Sequence, residues 1–170
     1  KKHEAHIMEQ DRLYNIIQHN TAHQICLMDT MIKQAETADG DEKRKLLQKM
    51  LVIGAYLKRR SNLVFLADKS SMLDANELVL TIGESMDNLE VLGISWGFRT
   101  ELTEPVLAYQ IIAMYDFFEN IVERALNRIC SITIYAEKRA GSLFLNINTD
   151  SAAVFSDFVS RIRTFSCRKK

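Results

Sequence analysis

Glycine and proline are scarce in this chain, with six glycines and a single proline among 170 residues. Long stretches therefore carry no residue that breaks a helix or opens a positive backbone φ. No glycine follows Gly141, so the last part of the chain has no glycine-rich loop able to approach a phosphate closely. Cysteine is equally sparse. Cys26, Cys130 and Cys167 are odd in number and far apart, with no CxxC spacing, so they read as free thiols in a reducing compartment rather than as disulfides or a structural zinc site. No apolar run approaches the roughly 20 residues of a membrane helix, and the opening "KKHEAHIMEQ" lacks the apolar core of a secretion signal. Charge of one sign is missing too: 22 Lys and Arg balance 22 Asp and Glu. That balance gives no argument for a nucleic-acid or anionic-membrane partner. These absences lead us to expect a cytoplasmic protein, or the cytoplasmic end of a membrane protein. An apolar share of 47% is enough for a folded core.

Helical periodicity dominates the first half. Leu13, Ile17, Asn20, Gln24, Leu27 and Met31 fall at alternating four- and three-residue steps, the spacing of a long amphipathic helix whose coiled-coil-like seam is polar in the middle. "ETADGDEK" (36–43) supplies a turn, with Gly40 free to take a positive φ and Asp41 placed to cap the second helix. From Glu42 the pattern resumes through Leu46, Met50, Ile53, Leu57 and Val64. A helical hairpin results. It buries one side of each helix and calls for a partner, and two copies would make a four-helix bundle.

"DKSSMLDANE" (68–77), rich in residues that favour caps and turns, marks the expected boundary between a first domain, 1–68, and a second, 69–170. Beyond it "NELVLTIGESMDNLEVLG" reads as a helix ending at Gly93, and "ISWGFRT" as a short strand. Thr103 is placed to cap a helix with Pro105 in its first turn, running to about Leu126. "SITIYAEK" and "SLFLNINT" alternate around Ala140-Gly141 as a hairpin, and "SAAVFSDFVSRIRTF" closes the chain as a further helix. This order implies an α+β layer with helices on one sheet face.

The stretch "YDFFENIVERAL" (115–126) interrupts a buried-helix pattern with Asp116, Glu119, Asn120 and Arg124. Residues 116, 120 and 124 are successive i, i+4 neighbours on one face. Leu107, Ile111, Met114, Phe118, Ile121 and Ala125 form another that can pack on a sheet. Read alone, the polar positions are either ligands or a solvated stripe.

Taken with the element order, the stretch resembles the kinase core of bacterial sensor histidine kinases. There a dimerisation and histidine-phosphotransfer hairpin precedes an ATP-binding domain of the gyrase and histidine-kinase superfamily. The resemblance spans the whole chain in element order. It implies a hairpin that dimerises, followed by an incomplete histidine-kinase-like α/β sandwich. It also implies that Asn120 coordinates Mg²⁺, that Glu119 orients or accepts a proton at the acceptor histidine, and that Asp116 and Arg124 lie at the nucleotide. Mg·ATP would be the cofactor of an active form. Elsewhere the chain departs from the family. After "SLFLNIN" the family has an adenine-reading Asp and a glycine-rich segment, whereas here "NTDSAAVFSD" offers Asp150 about one residue out of place and Ser151 where a glycine belongs. Either the chain stops before the last glycine-rich box or the ATPase domain has decayed, and the loss ahead of the C-terminus points to decay at least in part.

All the histidines, His3, His6, His19 and His23, lie in the first helix. "HNTAHQICL" resembles the family's phosphoacceptor motif, with Asn20 or Gln24 where an acid is common. His19 falls well off the apolar stripe and is the expected phosphoacceptor, with His23, nearer its border, as the alternative; the bland alternative for both is an ordinary polar surface. Lys58, Arg59 and Arg60 in "LKRRSN" read as a solvated helix face, or else as a contact for phosphate or for a response-regulator acid. The sequence thus leads to a homodimeric, histidine-kinase-like module of two-component signalling with a response regulator as partner. The rival is a non-catalytic dimeric scaffold, and a third reading is an unrelated helical regulator with a small α/β domain.

Overall fold

The computed structural model describes the backbone of residues 2–150 except 127 and 141, and the side chains of Asn15 and of residues 21–150 apart from those two. The closing helix expected over 151–165 lies outside the described residues.

Helix α1 (Lys2–Thr37) and helix α2 (Gly40–Lys69) form the expected hairpin. The chain reverses over Ala38 and Asp39, and Gly40 opens α2 at φ +52°, a conformation that costs a glycine little. The N-cap position belongs to extended Asp39 rather than to Asp41. Because the reversal takes only these two residues, Asp41 is already inside the first turn, where with Glu42 its charge complements the helix dipole.

Past α2 the chain makes strand β1 (Met72–Leu73), helix α3 (Asn76–Val91) and strand β2 (Ser95–Thr100). Asp74 starts α3 by accepting the Asn76 N–H at 2.8 Å, an Asx turn of the kind that draws a chain into a helix. Gly93, at φ +78°, stops it while its N–H bonds the Glu90 carbonyl.

The next helix departs from expectation. Residues 103–105 precede it, and Val106–Leu107 is strand β3, antiparallel to β1 with Leu73 opposite Val106. Helix α4 (Ala108–Ala125) starts only after this ribbon, with the Ala108 N–H bonded to the Ser71 carbonyl at 2.9 Å. Thr103 therefore caps nothing, and Pro105 sits outside the helix. Pairing with β1 keeps Val106 and Leu107 extended, so the helix begins five residues beyond Thr103.

Strands β4 (Ser131–Arg139) and β5 (Ser142–Thr149) complete the main sheet, in the order β2-β4-β5. The β4–β5 hairpin turns at Ala140, φ +49°, as the alternating patterns predicted. β2 and β4 run parallel, so a crossover must join them, and α4 provides it. Ile132, Ile134 and Ala136 of β4 are buried against Leu78, Ile82, Met86 and Leu89 of α3 and Ile111, Phe118 and Val122 of α4. The same core takes in Val52, Tyr56 and Leu63 of α2. One face of α2 thus serves the hairpin while another joins the second half of the chain. The α+β class is the one the sequence implied. Among the described residues no helix is long and apolar enough to cross a membrane.

Candidate functional site at the α1–α2–α4 junction

The polar residues of α4 do not share one environment. Helical spacing turns Asp116 toward α2, where Tyr56 and Arg60 are one turn apart. The Tyr56 hydroxyl donates to Asp116 Oδ1 at 3.0 Å, Arg60 Nε donates to the same oxygen at 2.8 Å, and Arg60 Nη2 donates to Oδ2 at 3.0 Å. Such a fork is among the stronger and more directional ion pairs. Arg60 is buried at 7% exposure, which corrects the expectation of a solvated face at this position, while Lys58 of the same run is exposed. Burial works against its charge, but the bonds and field of Asp116 more than offset that and raise its pKa.

Glu119, one turn on, is turned inward at 6% exposure. Burial is the main reason its carboxyl is pushed up to about 8; hydrogen bonding to Ser85 and Tyr115 opposes the rise, while Glu123 and Asp116 add to it. It is therefore a protonated acid at neutral pH. Beside it the Ser85 and Tyr115 hydroxyls share a buried 2.7 Å hydrogen bond. The Tyr115 ring packs on Tyr56 at 5.5 Å between centroids and on Phe118 at 6.1 Å.

Asn120 and Arg124 lie on exposed surface of the same helix. The Asn120 amide donates back to the Asp116 carbonyl at 2.7 Å. This arrangement suits Mg·ATP poorly. Mg²⁺ takes few protein ligands but usually includes a carboxylate; here Asp116, one turn before Asn120 on the same face, is bonded to α2, leaving Asn120 with a single amide oxygen to offer. Among the described residues no cluster of His, Cys, Asp or Glu could hold a metal ion. Asp150 has a local task as well. Its carboxylate accepts the backbone N–H groups of Cys130, at 3.0 and 3.2 Å, and Ser131, at 3.2 Å, bonds that lower its pKa and secure the start of β4.

Of the two candidate histidines, His23 is exposed and its Nε2 stands 3.4 Å from Glu123 Oε1 of α4. His19 lies one turn earlier on α1 and its side chain is outside the described residues.

Between these helices is a cavity of about 180 Å³. Gln24, Leu27 and Met31 of α1 line it, with Lys49, Val52, Ile53 and Tyr56 of α2, Glu119 and Glu123 of α4, and Leu126. Two wall atoms, Gln24 Oε1 and Glu119 Oε1, are fully buried and without a hydrogen-bond partner among the described residues. Buried oxygens in that condition are rare in native proteins, since each forfeits its hydration for nothing.

No family model matches the chain, and neither does any curated protein sequence.

The sequence pattern singled out Asp116, Glu119, Asn120 and Arg124 but not the residues that engage them. Arg60 carried a usable signal. It occupies the same stripe as Val52, Ile53, Tyr56, Leu63 and Val64, all buried, and an arginine in an apolar stripe needs a buried carboxylate. Ser85 likewise falls in the buried stripe of Leu78, Ile82 and Leu89 on α3.

Proposed function

We propose that the chain is a sensor-histidine-kinase-like cytoplasmic module of two-component signal transduction, a homodimer that engages a response regulator or another signalling protein, and that its ATP-dependent histidine autophosphorylation is weak or lost. The observation that carries this reading is the Arg60–Asp116–Tyr56 cluster. The face of α4 that the resemblance assigns to nucleotide begins at Asp116, and this carboxylate is already neutralised by α2. Freeing it for a metal or nucleotide would strand a buried guanidinium, which is strongly unfavourable. The 3.4 Å approach of His23 to Glu123 supports the kinase-like relationship, because it sets the histidine-bearing helix beside α4.

A second reading, a dimeric scaffold with no catalysis of its own, is favoured by the placement of Glu119. A carboxyl at 6% exposure is poorly placed to exchange a proton with a histidine on an exposed helix face. Acid-labile phosphate incorporation separates the two. In the kinase-like reading, labelling from ATP, or from a supplied cognate kinase or regulator, depends on His19 more than on His23. Full labelling of His19→Gln with none of His23→Gln reverses that assignment, and no labelling of the wild type under any of these conditions leaves the scaffold.

A further inference from the structure

The cavity between α1, α2 and α4 has chemistry of its own, independent of any kinase relationship. The two wall atoms without a hydrogen-bond partner among the described residues are both oxygens and come from different helices: Gln24 Oε1 from α1 and Glu119 Oε1 from α4. Glu119 is more than nine-tenths buried and forms part of the cavity wall. The remaining wall is largely aliphatic, with Leu27, Val52 and Ile53 among its residues. Sites that take small molecules have this make-up, an apolar enclosure with a few convergent polar groups.

We propose that this cavity binds a small organic ammonium ion, a primary alkyl- or arylalkylamine, with its nitrogen between Gln24 and Glu119 and its hydrocarbon part against Leu27, Val52 and Ile53. An ammonium carries three N–H donors and no acceptor, so one group can satisfy both oxygens. A carboxylate or phosphate ligand would instead bring a further acceptor to Gln24 Oε1 and oppose ionisation of Glu119. Size fits as well. A cavity of about 150 Å³ is known to accept benzene, so about 180 Å³ holds an aryl ring with a short tether. Lys49 and Glu123 also line the cavity and carry opposite charges, which leaves Glu119, once ionised, as the charge that selects a cation.

Binding is linked to protonation. The Glu119 carboxyl, raised to about 8, is neutral in the empty protein at neutral pH, and an ammonium ion favours its ionised form. Other charged or titratable groups face it from each helix: Lys49 and Tyr56 from α2, with Arg60 through Asp116; Glu123 and Tyr115 from α4; and His23 of α1 through Glu123. The α3 neighbour, Ser85, does not titrate. Affinity for an amine that stays protonated therefore rises with pH toward 8, by up to about tenfold per unit, as Glu119 gives up its proton.

Calorimetric titration of the full chain with 2-phenylethylamine, 2-phenylethanol and phenylacetate tests the assignment. Expected is saturable binding of the amine at least tenfold tighter than the alcohol, with none of phenylacetate. Glu119→Gln, nearly isosteric and uncharged, lowers amine affinity at least tenfold and removes its pH dependence. Leu27→Trp, which fills the cavity, abolishes binding; should that variant fail to fold, Glu119→Gln alone decides. Amine binding no tighter than alcohol binding, or binding indifferent to Glu119→Gln, overturns the proposal.

Discussion

Arg60 of α2 holds Asp116 of α4 with both arms of a fork, Nε to Oδ1 at 2.8 Å and Nη2 to Oδ2 at 3.0 Å, across 56 residues of sequence. This contact ties the helical hairpin to the α/β half. It also fixes which side of α4 is available to anything else.

Removing one member leaves the other charge buried without its partner. Arg60→Met should destabilise the protein by about 2–4 kcal/mol, since a broken, largely buried pair costs more than an intact one contributes. Arg60→Met/Asp116→Asn, which keeps an acceptor for Tyr56, should be distinctly less destabilised than the two single variants summed. Urea unfolding of the four proteins provides the cycle, and strictly additive losses would argue against the coupling.

Glu119 makes stability fall as pH rises. Its folded carboxyl is raised to about 8 from an ordinary 4.5, so below 4.5 the folded and unfolded chains both hold the proton and the group contributes no difference. Between those values folding retains a proton that the unfolded chain has released. Stability then drops by up to about 1.4 kcal/mol per pH unit, and the loss is complete above the folded value. Glu119→Gln should flatten this part of the profile and be the more stable protein at pH 8. Parallel pH profiles of wild type and variant would contradict the assignment.

The hairpin should dimerise. Ile25 and Ile32, seven residues apart on α1, and Leu47 and Leu51, four apart on α2, are each about half exposed, at 51, 45, 51 and 46%, and exposed apolar helix faces on a monomer tend to mark an interface. Light scattering at tens of micromolar should give twice the 19.5 kDa chain mass, and Leu47→Glu/Leu51→Glu should give the monomer. A monomeric wild type would remove the four-helix bundle from the account.

Periodic elements were legible in the sequence, and irregular ones were not. The spacing of Leu46, Met50, Ile53 and Leu57 predicted α2, the alternation around Ala140 predicted the β4–β5 hairpin, and Gly93 marked the end of α3. The β1–β3 ribbon has two residues in each strand, too short for any period to register. Thr103 and Pro105 consequently read as a helix start, although pairing with Met72 and Leu73 keeps the chain extended to Leu107. At the site, the i, i+4 arrangement of α4 was visible, but its direction was not. Which neighbour Asp116 meets depends on how α2 crosses α4, a long-range fact with no local signal beyond Arg60 standing in an apolar stripe.

Titration calorimetry with Mg·ATP tests the central claim most directly. With Asp116 engaged by Arg60 and Tyr56 and Asp150 by the backbone of β4, two polar contacts that the kinase-like reading would give a nucleotide are withdrawn. At about 1.5 kcal/mol each, that is on the order of a hundredfold in affinity. The account predicts weak binding or none. Submicromolar binding would contradict it, and its abolition by Asn120→Ala would make the active-kinase reading the leading one.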